Sequence, residues 1–406
     1  MGAIIYKKPG LNLRSEFKAF RDQPDLVYLD NAATSQMPDL VLEEMMNYEQ
    51  AGRGNAGRGF YPWCERAFES LEAGREKVAN YFGVDGEGLF FTAGATAGLN
   101  TVLKIIAPKL SFHRTVVVSN QEHLANYLPW KKVVGRLVGR VVEQPLNDPT
   151  CTAVTLTPSQ SFFGRAGGVV AVTAVGNLSG MVTDLLPWRE LADSLGSKLV
   201  VDAAQLGAHS DLIKNLALAD AVVFSAHKMY GPMGLGAVWL SKSFRDEALV
   251  LNWGGGIGAD SELRTRRDIR RFEAGTQNVM AVVGWSKAIE WLTGIDSKLM
   301  RAHEEKLLDY YLFKSQEIPE INNFLDQLSG ERVGIQPFIL DGIHPHEVAE
   351  ELGERGVMVR AGEHCSIFTK HLNSTGVVRW SAGVYNDLVD IDRLIAEIKA
   401  VLQRWR

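Results

Sequence analysis

Lys228 ends the run Ser225-Ala226-His227-Lys228, immediately after the apolar stretch Ala221-Val222-Val223-Phe224. A lysine just beyond a buried strand is costly, because burial disfavours the charged ammonium. One chemistry uses that cost: a lysine of lowered pKa forms a Schiff base with an aldehyde. Twenty-six residues earlier, Lys198-Leu199-Val200-Val201-Asp202 ends a second strand in an acid. Pyridoxal phosphate needs that combination, a lysine for its aldehyde and an acid for its ring nitrogen. Taken alone, Lys228 reads as a strand-end lysine that snorkels to water. Paired with Asp202, it reads as chemistry.

Further segments suit the same ligand. Phe90-Phe91-Thr92-Ala93-Gly94-Ala95-Thr96-Ala97-Gly98-Leu99-Asn100 reads as a strand, a small-residue turn and a helix start. Glycine allows close backbone approach, and the free N–H groups of a helix N-terminus attract phosphate. The bland alternative is a plain tight turn. His123, in Gln121-Glu122-His123, follows a strand ending near Ser119 and could lie flat on a cofactor ring or simply be a satisfied polar residue. Asn177 stands in the turn Gly176-Asn177-Leu178-Ser179-Gly180, where it could cap the turn or donate to a cofactor oxygen or a substrate carboxylate. Gln205, three residues after Asp202, has the same two readings.

A third group lies near the C-terminus, in Arg360-Ala361-Gly362-Glu363-His364-Cys365. Neighbouring positive charge favours the thiolate of Cys365, its nucleophilic form, whereas free cysteines are more often buried and inert. Cys64 and Cys151 lack such neighbours and read as structural. Arg360 and Arg379 could grip a carboxylate with a bidentate guanidinium fork. Arg379 sits in the apolar strand Val377-Val378-Arg379-Trp380-Ser381, where an unpaired cation would be expensive. Arg264, Arg266, Arg267, Arg270 and Arg271 read as the charged face of a solvated loop.

The elements that must position these residues follow a regular pattern. Between about Tyr28 and Leu251, β-branched runs alternate with helical stretches, as a parallel sheet with crossover helices requires. Val116–Val118, Val169–Val172, Leu199–Val201 and Val222–Phe224 are near-continuous apolar strands. Amphipathic helices are expected over 64–82 and 187–195, and a strand turned back by glycines over Gly236–Leu240. Beyond about Trp285 the periodicity predicts a charged helix over 296–316, short strands and helices, and a terminal amphipathic helix over 389–403. The expected division is a large domain over 22–284 and a smaller α+β domain over 285–406, with residues 1–21 packing on the latter.

Composition narrows the classes. The 406-residue chain carries a formal net charge of −5, which argues against nucleic acid as a partner. No apolar run approaches the ~18 residues that span a bilayer. The first residues lack a signal-peptide core and a myristoylation pattern. Three scattered cysteines suit neither a disulfide framework nor a zinc site, so no metal and a cytoplasmic setting are expected.

Together these residues resemble the class V family of fold-type I pyridoxal-phosphate enzymes, and within it the group II, Suf-type cysteine desulfurases and selenocysteine lyases. The resemblance runs nearly the whole chain. It includes Tyr28-Leu29-Asp30-Asn31-Ala32-Ala33-Thr34, Val201-Asp202-Ala203-Ala204-Gln205, Ser225-Ala226-His227-Lys228, Arg271-Phe272-Glu273-Ala274-Gly275-Thr276 and Arg360–Cys365. It implies the fold-type I α/β architecture, with a mostly parallel seven-stranded sheet in the large domain. It implies Lys228 as the Schiff-base lysine, Asp202 as the partner of the pyridine nitrogen and His123 as the residue stacked on the ring. Asn177 and Gln205 would lie near the phenolic oxygen, and Thr96, beside Ala95, would join Ser225 and His227 as phosphate ligands. Thr276 would reach the phosphate of a neighbouring subunit, which makes the protein a homodimer. Arg379 and Arg360 would hold the substrate carboxylate, and Cys365 would accept sulfur from L-cysteine before passing it to an acceptor. The sequence departs from the family pattern at Gly57, Glu363 and Ser366-Ile367-Phe368, around the substrate rather than the cofactor. A selenocysteine lyase, a C–S β-lyase or another class V enzyme could use the same lysine and acid without Cys365.

Overall fold

The computed structural model describes residues 11, 13–57, 59–109, 115–136, 140–144, 168–250, 252–258, 265–324, 330–371 and 376–406. Cys151, Arg264 and the Arg58 of the Gly57-Arg58-Gly59 turn lie outside the described residues.

Seven described strands form one sheet, in the spatial order Leu89–Thr92, Gly236–Leu240, Ala221–Ser225, Lys198–Asp202, Val169–Thr173, Thr115–Ser119 and Arg140–Gln144. Only Gly236–Leu240 runs against the others. This is the mostly parallel, seven-stranded α/β sheet that the resemblance implied. The central strands are buried at nearly every position and apolar between their ends, because helices cover both faces. Val170, Val172, Val201, Val222 and Phe224 are buried on one side, and Val116, Val118, Val169, Val200 and Val223 on the other.

Small residues bring the helices close. A Cβ on Gly98 would meet Val223 Cγ1 at 2.7 Å and Val238 Cγ2 at 2.9 Å, so the Ala95–Ile106 helix lies flush on the sheet. The Pro62–Phe82 helix has proline in its first turn and ends at Gly83 in the left-handed region, φ +67°, as helix starts and stops prefer. Cys64 is buried near its start.

A second sheet is antiparallel, in the order Arg360–Gly362, Val377–Ser381, Ile335–Leu340 and Ile321–Asn322. It is covered by helices Ser297–Ser315, Pro345–Glu354 and Leu388–Trp405. The last of these buries Ile391, Leu394, Ile395, Ile398, Val401 and Leu402, a stripe at helical spacing capped by Asp387 and Asp390. Each such side chain contributes roughly 1.5–3 kcal/mol on full burial.

Two features cross the expected division. Val27–Tyr28 pairs in parallel with Val357–Met358 as a separate two-stranded ladder, and Asp30 bridges to Ser381 of the second sheet, so the chain touches the second sheet before it enters the first. The helix Val279–Thr293 continues through residue 284, because Val282 and Trp285 keep packing into the core of the first. In the N-terminal segment, Phe17 meets Tyr385 edge-on at 4.8 Å and also packs against Tyr230 and Trp291. Among the described residues, no helix is long and apolar enough to cross a membrane.

Candidate active site

Parallel strands direct their carboxyl ends to one edge, and ligands bind there in open α/β sheets. Five such ends carry expected site residues: Thr92 leads to Gly94–Thr96, Ser119 to His123, Thr173 to Asn177, Asp202 to Gln205, and Ser225 to Lys228. They converge on a cavity of about 960 Å³. Its lining includes Ala95, Thr96, His123, Asn177, Asp202, Gln205, Ser225, His227, Lys228 and Arg360.

Gly236 makes the phosphate end possible. It stands in register with Thr92 on one side and Ser225 on the other. A Cβ there would meet the Phe224 carbonyl oxygen at 2.5 Å and Gly94 Cα at 2.8 Å. Gly94 itself has φ +138° and caps the twelve-residue helix that begins at Ala95. The helix N-terminus therefore opens beside Ser225, with Thr96 in its first turn. His227 Nδ1 is buried in the same lining without a partner among the described residues. A buried orphan nitrogen, a helix N-terminus and two hydroxyls form a donor set that fits a phosphate.

At the other end, desolvation lowers the Lys228 pKa to about 8, with Arg379 and Arg360 acting in the same direction against Asp202 and Asp30. Asp202 is buried, and burial raises its carboxyl above the usual range although the Ala204 N–H donates to it at 3.0 Å. A proton donor or cation in the cavity would relieve that cost. Burial pushes His123 down to about 4, so the ring is neutral. Its Nδ1 accepts from the Ala125 N–H at 3.0 Å, which leaves the proton on Nε2. These groups fit pyridoxal phosphate: a lysine of lowered pKa, an acid and a flat neutral ring. Gln205 Nε2 donates to the Ala32 carbonyl at 2.7 Å.

The two arginines expected to hold a carboxylate have different surroundings. Arg360 lines the cavity, but Arg379 does not. Arg379 is buried, and its two terminal nitrogens donate to Asp30 Oδ1 at 2.8 Å and to the Asn177 carbonyl at 2.7 Å. Asn177 in turn donates from Nδ2 to the His364 carbonyl at 2.8 Å, and its Oδ1 has no partner among the described residues.

Cys365 is exposed and is not among the residues lining the cavity. His364 and Cys365 both adopt left-handed backbone, φ +51° and +50°, which costs a non-glycine residue about 1–3 kcal/mol. Several bonds hold the turn. The Leu124 N–H donates to the Cys365 carbonyl at 2.6 Å, and the Ile367 N–H donates to the Glu122 carbonyl at 3.1 Å. His364 Nε2 donates to the Val377 carbonyl at 3.0 Å, and burial lowers this ring to about 3.

Thr276 is exposed and lines a separate depression of about 340 Å³, which shares only Ala93, Ala97 and Gly234 with the main cavity. Its loop is anchored by Glu273, which accepts from Arg75 at 2.7 and 2.9 Å and from the Phe91 N–H at 2.7 Å. The arginine run is more ordered than a solvated loop. Arg266 and Arg270 both clamp Asp268, and Ile269–Phe272 forms a helical turn.

Two site residues escaped the sequence reading. Glu122 is fully buried, and burial pushes its carboxyl up to about 8. It accepts from the Thr173 N–H and from Asn126 Nδ2, both at 2.7 Å, and contacts Ser119 Oγ. It thereby ties two strand ends together beneath His123, and its position beside that histidine was the available signal. Asp30, the counter-charge of Arg379, was visible only within the Tyr28–Thr34 stretch.

Comparison with known proteins agrees with this geometry. The family model of class-V aminotransferases matches residues 27–394. A probable cysteine desulfurase of Treponema pallidum is 30% identical over 97% of this chain and 98% of its own. One from Vibrio cholerae is 30% identical over 96% and 98%. Among solved structures, the apo form of a cysteine desulfurase from Thermococcus onnurineus superposes with a TM-score of 0.84 at 27% identity, covering 96% of this chain and 97% of that one. The S-sulfonic acid form of the Escherichia coli cysteine desulfurase CsdA gives 0.83 at 29%, with 96% and 97% covered. The chain belongs to the class-V aminotransferase family.

Proposed function

From that membership we infer that the protein is a pyridoxal-phosphate-dependent cysteine desulfurase. The observation that carries the reading is the convergence of Lys228 and Asp202 on one cavity beneath a helix N-terminus. Members of the family are generally pyridoxal-phosphate-dependent, and the relatives described above are named cysteine desulfurases. When bound, the cofactor supplies an aldehyde for amines and a ring that accepts electrons released at the substrate Cα.

The chain's own residues supply the rest. Gly94–Thr96, Ser225 and His227 would hold the phosphate, His123 would cover the ring, and Asp202 would keep a proton on the ring nitrogen. Asn177 and Gln205 would lie near the ring's phenolic oxygen, and Arg360 with Arg379 would orient the substrate carboxylate. Lys228, a neutral amine above about pH 8, takes the proton from the substrate Cα. Cys365 Sγ, as thiolate, attacks the substrate sulfur. The S–S bond forms, the substrate Cβ–S bond breaks, and the carbon keeps the bonding electrons. That carbon takes up a proton, Lys228 returns its proton to the substrate Cα, and the product leaves as L-alanine. The persulfide on Cys365 then passes its outer sulfur to a thiol or an acceptor protein. The position of Thr276 outside its own chain's cavity supports a homodimer in which it serves the partner's phosphate site.

The absence of Cys365 from the cavity lining favours one competitor, a β-lyase cleaving the C–S bond of cysteine or the C–Se bond of selenocysteine without this thiol. Alanine and sulfide formation from L-cysteine with a reductant, in the native protein and in Cys365→Ala, separates the two. The desulfurase gives the products in equal amounts and loses them in the variant. Pyruvate and ammonia, or activity indifferent to the substitution, would establish the lyase.

A further inference from the structure

Arg379 stands behind the cavity lining, already paired. A guanidinium offers five N–H donors, and the Asp30 and Asn177 bonds use two, both on the terminal nitrogens. Nε is buried with no partner among the described residues. Of its two hydrogen-bond acceptors only Asp30 is charged. Arg360 stands directly opposite in the strand register and adds a second cation at this edge.

Asp30 also begins a short strap. It bridges to Ser381, beside Arg379. Two residues on, the Ala32 N–H donates to Ser381 Oγ at 2.9 Å, and its carbonyl receives Gln205 Nε2. At the far end the Ser35 N–H donates to the His227 carbonyl at 2.9 Å, and Ser35 Oγ receives the Tyr230 N–H at 2.6 Å. Residues 30–35 thus run from the guanidinium of Arg379 to the residue preceding Lys228.

We propose that Asp30 is a specificity-determining positioning residue, which orients Arg379 and sets its distance from Lys228 to suit a ligand bearing amine and carboxylate on the same carbon. The inference rests on the reading of Arg379 as the carboxylate grip and Lys228 as the amine-exchanging group. Hydrogen bonds to a charged partner are the strong ones and fix geometry. Loss of the carboxylate therefore frees the guanidinium to turn without touching the cavity floor.

The test measures binding to the cofactor-loaded protein by its absorbance change, with L-alanine, β-alanine and ethylamine as ligands. Asp30→Ala is expected to weaken L-alanine by about tenfold or more, to narrow its preference over β-alanine, and to leave ethylamine within about twofold. Asp30→Asn, which keeps an acceptor without the charge, falls between and serves alone should the alanine variant not fold. Unchanged L-alanine binding, an unchanged preference over β-alanine, or equal weakening of L-alanine and ethylamine would each overturn the proposal. Arg379→Ala tests the premise separately. If it leaves L-alanine unaffected, Arg379 is not the grip and the role of Asp30 falls with it.

Discussion

The floor of the cavity and its rim are built on opposite principles. On the floor, Lys228, Asp202 and His123 are positioned by strand ends in a covered sheet, and burial sets their protonation. At the rim, Cys365 is exposed on a left-handed turn of the second sheet, held by backbone bonds to Leu124 and by the bonds its neighbours make to Glu122, Val377 and Asn177. The floor tunes acidity and the rim tunes position. A lysine that must be neutral near physiological pH gains from desolvation. A thiol that must meet both a substrate and an external sulfur acceptor has to stay reachable.

This contrast can be broken or sharpened by experiment. The largest effect belongs to Lys228→Ala, which should abolish turnover and leave any retained cofactor without a covalent link. Residual turnover would show that the floor does not depend on this amine. Next is the pH dependence of cofactor loading in the protein freed of cofactor. The neutral amine is the reactive form, and its fraction rises with pH until it levels above about 8. Loading should therefore slow roughly tenfold per pH unit below that value. A rate flat between pH 6 and 8 would mean that burial does not tune Lys228.

A smaller effect is expected for Gly236→Ala. Its Cβ collides with backbone at Phe224 and Gly94, and overpacking typically costs about 1–3 kcal/mol. Cofactor affinity should fall by about tenfold or more, while alkylation of Cys365 stays unchanged. The smallest effect is the converse. Leu124→Pro removes the N–H that binds the Cys365 carbonyl, at the first position of a helical turn where proline is tolerated. Cys365 should alkylate severalfold faster, with cofactor loading as in the native protein. Equal disturbance of loading and alkylation in either variant would mean that floor and rim act as one unit.

Much of the floor could be read from the sequence because each of its residues ends an apolar run. Val200-Val201-Asp202 and Val223-Phe224-Ser225 announce buried strands, and parallel strands place such ends together. The turned-back strand at Gly236–Leu240 was equally visible, through its glycines. Glu122 was not, because an acid beside a histidine says nothing of burial until Ser119, Asn126 and Thr173 close around it. The order of the Cys365 turn was also hidden. Cys365 is not a residue that favours left-handed backbone, and two such residues in a row must be held there by tertiary hydrogen bonds.

The sequence by itself determined the strand ends, the helix start after Gly94, and the presence of a lysine, an acid and a cysteine of suitable chemistry. These are local matters of apolar runs, side-chain type and turn residues. Only the tertiary structure decided that Arg379 is held by Asp30, 349 residues away, that Thr276 lines a depression apart from the main cavity, and that Cys365 is exposed outside the cavity lining. Such pairings depend on which sheet edges meet when the chain closes. Likewise the pKa of Lys228 depends on how much water the closed cavity leaves around it.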